Sequence, residues 1–133
     1  MFKKTINYED FNGQPIKEDF YFNLTKAEIM EMQLEKTGGL TEYIQRIVDS
    51  KDVPQLVKLF KELILKSYGV KSDDGKRFIK TKEVVEAFTQ TNAYSEFYME
   101  LATNADVASA FVNGIIPADL AEEVKKQEKK QLK

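Results

Sequence analysis

The clearest pattern in this chain lies at residues 2–24, FKKTINYEDFNGQPIKEDFYFNL. Apolar and polar residues alternate through residues 2–8 and again through residues 16–24, as expected for two strands that each bury one face. Asn12 and Gly13 lie between these segments, and this dipeptide tolerates the positive φ of a hairpin turn. Two strands alone are only marginally stable. We therefore predict an N-terminal β-hairpin that packs against helices.

Helix-capping residues mark the elements that follow the hairpin. Thr25, with Glu28 three residues later, has the pattern of a capping box. Asp52 is a suitable N-cap, and Pro54 lies in the first turn, where a missing N–H removes no helical hydrogen bond. The helix after Asp52 is apolar on nearly every side, so we expect it to be the most buried element. Thr81 predicts the start of a later helix.

Glycines predict where the helices end. Gly38, Gly39, Gly69 and Gly114 each follow or interrupt an apolar periodic segment, and glycine is the residue most often found just past a helix C-terminus. Residues 70–80 are polar around a central glycine, which predicts either a small second hairpin or an ordered loop.

Together these elements predict an α+β fold that is mostly helical, with the N-terminal β-hairpin packed on a bundle of about five or six short helices. Residues 1–117 are predicted to form one domain. Residues 118–133 alternate Glu, Lys and Gln without an apolar face. We expect that segment to be a charged, flexible C-terminal tail.

The composition disfavours several classes of function. The 133 residues include no histidine and no cysteine, which removes the usual general base, the strongest nucleophile and the commonest metal ligands. Twenty basic and twenty-two acidic residues leave a net charge of −2, so no basic excess favours nucleic acid or an anionic membrane. No segment approaches the roughly 18 apolar residues of a membrane span. We predict a cytoplasmic protein that is not an enzyme, with no catalytic residue, cofactor or metal.

Charged clusters in the sequence each admit a chemical and a structural interpretation. The cluster at residues 73–77 could hold a metal or a phosphate, but it lacks the spacing of a calcium loop and any phosphate-binding glycine pattern. A turn with compensating charges is the favoured interpretation. The acidic pairs at residues 9–10 and 18–19 are interpreted as solvated charges that flank the strands.

Four longer blocks of sequence show what the chain is similar to. They are EDFYFNLTKAEI (18–29), GGLTEYIQRIVDSKD (38–52), KLFKELILKSYGVKSDDGKRFIK (58–80) and AYSEFYMELATNADVASAFVNGIIP (93–117). Taken together and in order, they resemble the tail assembly chaperones of long-tailed phages and prophages of Gram-positive bacteria. None of the blocks is a catalytic signature. The resemblance rests on their order and on their extent over nearly all of residues 5–117.

The resemblance implies a non-enzymatic role in building the tail tube. Chaperones of this family bind the tape-measure protein, keep it soluble, and help to recruit major tail protein through a frameshifted longer product. They self-associate, act in the host bacterial cytoplasm and are not expected in the mature virion. The lysine pairs at residues 125–126 and 129–130 are compatible with the adenine-rich codons on which ribosomes slip.

Four residues are candidates for contact with the tape-measure protein, namely Leu59, Leu65, Tyr98 and Met99. Each departs from the single apolar face expected of its helix, so its side chain is a candidate for exposure. The alternative, which we favour, is that these residues are core on a second side of their helices.

Two other functions compete with the chaperone. A small helical DNA-binding regulator would use residues 69–80 as a wing, and it would require a basic face. A carboxylate-dependent enzyme would require a spaced pair of carboxylates, and none stands out in the sequence. The chaperone is the function that we predict.

Overall fold

The computed structural model of the chain describes residues 1–35 and 40–116. Its elements, in chain order, are β1 Phe2–Glu9, β2 Pro15–Phe22, α1 Lys26–Glu35, α2 Leu40–Ser50, α3 Val53–Ser67, β3 Tyr68–Lys71, β4 Phe78–Ile79, α4 Lys82–Thr89, α5 Asn92–Thr103 and α6 Ala105–Ile115. The predicted α+β, mostly helical fold with an N-terminal hairpin is confirmed. The predicted helix break at Gly38 and Gly39 and the predicted tail at residues 118–133 lie outside the described residues.

The N-terminal hairpin forms as the alternating pattern predicts. β1 and β2 are antiparallel, with Phe2 opposite Phe22 and Glu9 opposite Pro15. Five residues, 10–14, connect the two strands, since Glu9 and Pro15 form the last pair of the strand register. The Asp10 carboxylate accepts hydrogen bonds from two N–H groups of this loop, each at 2.9 Å. Gly13 adopts the left-handed conformation, with φ of 79°.

A second hairpin extends the sheet. β3 pairs antiparallel with β2 through Gly69 and Tyr68, and β4 pairs antiparallel with β3. The described strands therefore form one four-stranded sheet in the order β1-β2-β3-β4. Of the two alternatives predicted for residues 70–80, the hairpin is the one observed, and its turn has a φ of 73° at Gly75.

The predicted caps begin the helices where the sequence indicates. The capping box at α1 is complete, because the Thr25 N–H donates to the Glu28 carboxylate at 2.9 Å and the Glu28 N–H donates to the Thr25 hydroxyl at 3.2 Å. The Asp52 carboxylate accepts from the Gln55 N–H at the start of α3. The Thr81 hydroxyl caps α4 in the same way. These predicted caps are confirmed. They could be predicted because each involves only residues that are neighbours in the sequence.

Aromatic side chains fill the space between the sheet and the helices. The Phe22 ring lies at the centre, with its centroid 5.0 Å from that of Phe97, 5.6 Å from that of Phe111 and 6.0 Å from that of Phe88. α3 contributes five buried residues, more than any other described element, so its predicted burial is confirmed. Val53 in its first turn is nevertheless 65% exposed.

Two glycines predicted as helix stops also permit close tertiary contacts, and of the two only Gly69 lies just past the end of its helix. α3 ends at Ser67, and Gly69 lies in β3, where a Cβ atom would be 2.7 Å from the Phe78 ring. α6 continues through Gly114 to Ile115, and a Cβ atom at Gly114 would be 2.7 Å from the Phe2 ring. Both glycines therefore permit a close tertiary contact, which a local sequence pattern cannot show.

Candidate functional site

A groove between four helices presents an uncharged, partly apolar surface. It has a volume of about 510 Å³ and is lined by twelve residues. We call it the helical groove, and its lining residues are Ile44 and Gln45 of α2, Leu56 and Phe60 of α3, Leu101, Ala102 and Thr103 of α5, and Ala105, Ala108, Ser109, Val112 and Asn113 of α6. None of these twelve is charged, although 32% of the chain is.

The floor of the helical groove is part of the packed core. Phe60, Leu101 and Ala108 are buried there. Apolar side chains that include Ile44 and Val112 are half-buried and form its walls. A concave apolar surface of this kind fits the apolar face of an amphipathic helix.

Small and uncharged polar residues form the rim. The exposed polar side chains of the rim are Gln45, Thr103, Ser109 and Asn113. They can hydrogen-bond to a bound chain without requiring a charge on it. Ala102 and Ala105 leave the backbone of α5 and α6 close to the surface, which allows a second helix to approach.

Asn104 is both the last cap of α5 and the first cap of α6. The Asn104 N–H donates to the Glu100 carbonyl at 2.9 Å and so completes the end of α5. The Asn104 side-chain oxygen accepts from the N–H groups of Asp106 and Val107, at 3.1 and 3.2 Å, and so caps α6. Because the two helices meet at one residue, the end of α5 and the start of α6 share one wall of the helical groove.

The four sequence-predicted contact residues do not form one surface. Leu59 is 1% exposed and lies in the core, so its side chain presents no surface to a partner, as the favoured alternative anticipates for this residue. Leu65 is half-buried in a separate cleft that also contains Lys80. None of the four lines the helical groove.

Tyr98 and Met99 are the two candidates that lie together. They line a shallow cleft of about 220 Å³ between α3 and α5, beside Lys61. Met99 is 58% exposed. Tyr98 is half-buried, and its hydroxyl donates to the Val57 carbonyl at 3.4 Å. The tyrosine therefore contributes to the packing of α5 on α3 as well as to the surface.

Sequence reasoning missed the residues of the helical groove. One signal was available, since residues 101–116 contain a single charged residue, Asp106. That pattern shows a segment poor in charge, but it does not show that α2 lies opposite. The groove is assembled from residues that are up to about 70 positions apart, so its shape is a property of the fold.

A half-buried lysine joins three elements at the opposite end of α3. Lys80 donates to both Glu28 carboxylate oxygens at 2.7 and 2.8 Å, to the Asn23 carbonyl at 2.6 Å and to the Lys66 carbonyl at 3.0 Å. Burial opposes ionisation of Glu28, but the hydrogen bonds from Lys80 and from the Thr25 N–H outweigh it and hold the pKa of that carboxyl below its usual value. This arrangement stabilises the fold and has no free group for chemistry.

Other perturbed groups are also explained by structural pairs. The Tyr8 hydroxyl donates to the Glu18 carboxylate at 2.6 Å, and this bond raises the pKa of Tyr8 to about 12. Asp74 lies in the turn between β3 and β4, where hydrogen bonds from the Ser72 hydroxyl and the Lys76 N–H lower the pKa of its carboxyl. Among the described residues, no group of three or more acidic side chains could hold a metal ion.

Comparison with known proteins agrees with the resemblance in the four sequence blocks. No helix in residues 1–35 and 40–116 is long and apolar enough to cross a membrane. No curated protein and no solved structure gives a match. A family model described as Phage tail assembly chaperone matches residues 1–133, which includes the hairpin and all the helices of the groove. This chain belongs to the phage tail assembly chaperone family.

Proposed function

We propose that this chain is a non-catalytic chaperone that binds the tape-measure protein of a long-tailed phage and keeps it soluble until the tail tube forms. The observation that carries the proposal is the helical groove, an uncharged surface of about 510 Å³ between four helices. Family membership limits the partners to proteins of tail assembly. The groove supports a contact with an apolar helical surface.

The chemistry of the groove suits a long helical partner. A tape-measure protein before assembly has extended apolar helical surface that water does not favour, and exposed apolar surface leads to aggregation. The groove has an apolar floor and walls, so it covers such a surface. Its uncharged rim tolerates different polar neighbours along the partner, so one chaperone surface serves many segments.

The assembly role also sets limits on the affinity. Each copy binds modestly, and many copies act along one long partner. Major tail protein then replaces them, recruited through a frameshifted longer product of the same gene. In this proposal the chaperone self-associates, works in the cytoplasm of a Gram-positive host, and is left out of the mature virion.

A second, smaller contact is proposed at Tyr98 and Met99. The exposed thioether of Met99 is adaptable and apolar, and the shallow cleft that it shares with Tyr98 lies about one helical turn nearer the start of α5 than the groove. Leu65 is kept as a weaker candidate in its separate cleft. Leu59 is not part of the proposal because it is buried.

Co-expression with the tape-measure protein of the same genome tests the proposal. The soluble fraction is passed over a size-exclusion column, and co-elution of several copies with the partner is the expected result. Ser109→Glu places a charge on the rim of the groove and is expected to abolish co-elution, because a bound apolar helix would bury that charge.

Ala110→Glu is the matched control for this experiment. Ala110 is also exposed on α6 and is the next residue along, but it does not line the groove. It is expected to keep co-elution unchanged. A partner that stays insoluble with the unmodified chain would contradict the proposed function. Equal loss in the two variants would contradict the groove as its site.

A further inference from the structure

The residues that follow α6 contain an uncharged stripe. Residues 118–133 have no continuous apolar face, but four of their seven uncharged residues recur at helical spacing, namely Leu120, Val124, Gln127 and Gln131. On a helix of 3.6 residues per turn these four side chains fall within about 60° of one another. None of the nine charged residues of the segment falls inside that sector. As a helix, the segment would therefore have one face without charge and carry its charges on the others.

The helical groove has a matching chemical character. None of its lining residues is charged, its floor is apolar and its exposed rim is polar but uncharged. Leu120 and Val124 suit the apolar floor, and the amides of Gln127 and Gln131 can hydrogen-bond with the side chains of the rim. A helix with charges in this stripe would have to bury them without partners, which costs free energy.

The path of the chain brings this segment to the groove. α6 lines the groove from Ala105 to Asn113, a rise of about 12 Å. The described part of the chain ends at Ile116, three residues beyond Asn113. Ile116 is extended, with ψ of 132°, and Pro117 follows it, so the chain leaves the axis of α6 there. A helix over residues 120–131 spans about 17 Å, which is enough to cover the groove.

We propose that residues 120–131 form a helix that lies antiparallel to α6 in the helical groove and covers it until the tape-measure protein displaces it. Equal rise along the two helices places Leu120 beside Asn113 and Val124 beside Ser109. The charged side chains of the segment then remain in water. The inference rests on the proposed function, because it assigns a regulation to the same groove.

A cover of this kind changes how the groove selects its partner. A segment tethered by a few residues has an effective concentration of roughly millimolar. The apparent affinity for a partner is reduced by the fraction of time that the groove is open. A single short apolar segment competes poorly with the cover, whereas a long partner that engages many copies displaces it.

Two introduced thiols test the contact in the chain alone. The chain has no cysteine, so Ser109→Cys combined with Val124→Cys provides one thiol pair. In a glutathione buffer, the ratio of disulfide to thiol measures the effective concentration of one thiol at the other. We expect a disulfide within one chain, with an effective concentration at least about tenfold above that of two matched controls.

The controls each move one thiol away from the proposed contact. Ser109→Cys with Lys126→Cys moves the second thiol about 160° around the helix. Ala110→Cys with Val124→Cys moves the first thiol off the groove, because Ala110 is exposed but does not line it. The sequence separation of the thiols differs by no more than two residues among the three pairs, so tether length does not explain a difference.

A charge in the stripe tests whether the groove itself holds the segment. Leu120→Glu, added to the chain with Ser109→Cys and Val124→Cys, is expected to lower the effective concentration to that of the controls. Lys126→Glu changes a charge outside the stripe and is expected to leave it unchanged. Urea denaturation verifies that both variants still unfold cooperatively.

Competition tests the regulatory part of the inference. In the co-eluted complex with the tape-measure protein, the Ser109–Val124 thiol pair is expected to fall to the effective concentration of the controls. Leu120→Glu in the chain without cysteines is expected to bind the tape-measure protein several-fold more tightly, because the cover no longer competes.

Equal effective concentrations in the three thiol pairs would overturn the inference, and so would a disulfide that forms only between two copies. A complex that co-elutes without changing the thiol equilibrium would show that the segment and the tape-measure protein do not share the groove, which also overturns it. The thiol measurement on the chain alone needs no partner. Its failure is therefore distinct from failure of the proposed function, which would appear as an insoluble tape-measure protein.

Discussion

The two sides of α6 differ in how completely other parts of the chain pack against them. On the side toward the sheet, Phe111 is fully buried among the rings of Phe2, Phe22 and Phe97. On the side toward α2, small residues such as Ala105 line an open groove. One helix therefore has a face that its own chain covers and a face that the described residues leave open. This contrast predicts that substitutions on the first side change stability and that those on the second side change binding.

The largest effect is expected from Phe22→Ala. Phe22 is fully buried at the centre of the aromatic cluster, so the variant loses its transfer free energy and leaves a cavity. The free energy of unfolding should fall by about 3–5 kcal/mol, as measured by urea denaturation. A loss below about 1 kcal/mol would show that the sheet side of the core is not packed as described.

A smaller loss is expected from Lys80→Met, which removes the cation that joins α1, the end of α3 and the second hairpin. The Glu28 carboxylate loses its two bonds from Lys80 but keeps the one from the Thr25 N–H, and the Asn23 and Lys66 carbonyls each lose one bond. An unsatisfied half-buried acceptor costs about 1–3 kcal/mol. Lys82→Met is the control, because its ion pair with Glu86 is long and exposed, at 3.8 Å. The control should change stability by less than about 0.5 kcal/mol.

The same pair of variants predicts a pH dependence. The pKa of Glu28 is lowered in the folded chain. The stability that ionised Glu28 contributes is therefore fully present above the ordinary pKa of a carboxyl group, and it is lost as pH falls through the lower pKa of the folded chain. The stability difference between the unmodified chain and Lys80→Met should therefore narrow in acid. Denaturation curves at neutral pH and below pH 4 measure this difference, and a gap that widens in acid would contradict the assignment.

Gly114→Ala tests the close contact between α6 and β1. Alanine is a better helix former than glycine by about 1 kcal/mol, but its Cβ would lie 2.7 Å from the Phe2 ring. Overpacking costs about 1–3 kcal/mol, so we expect a net loss of about 1 kcal/mol in denaturant unfolding. A gain in stability would mean that the Phe2 side chain moves away freely.

The smallest change in stability is expected on the groove side, from Ser109→Phe. The ring would fill part of the open groove from an exposed position, so the unfolding free energy should stay within about 0.5 kcal/mol. Co-elution with the tape-measure protein should nevertheless be lost, because the site is occupied. Loss of folding in this variant would contradict the contrast between the two sides of α6.

The parts of the fold that were predictable from sequence depend on neighbouring residues. The hairpin follows from the alternation in residues 2–24, and the caps at Thr25, Asp52 and Thr81 follow from residues within one turn. The local preference of glycine for helix ends places Gly69 correctly just past α3, whereas α6 continues one residue beyond Gly114. Gly69 contacts Phe78 on another strand, and Gly114 contacts Phe2, which is far away in the sequence.

The candidate site was less predictable for the same reason. Tyr98 and Met99 do lie on the surface together, whereas Leu59 is buried because α3 is packed on more than one side. The sequence of a helix does not show whether an apolar residue outside its main apolar face is covered by a second packing neighbour or is exposed. The helical groove exists only when four helices are packed in their observed positions. The low charge of residues 101–116 is therefore its one indication in the sequence.

Photo-cross-linking at two adjacent positions of α6 tests the central claim most directly. A photo-reactive residue replaces either Ser109, on the rim of the groove, or Ala110, outside it, during co-expression with the tape-measure protein. Adducts with the partner are predicted from position 109 and not from position 110. Adducts from position 110 alone, or in equal yield from both positions, would contradict the groove as the surface that holds the tape-measure protein.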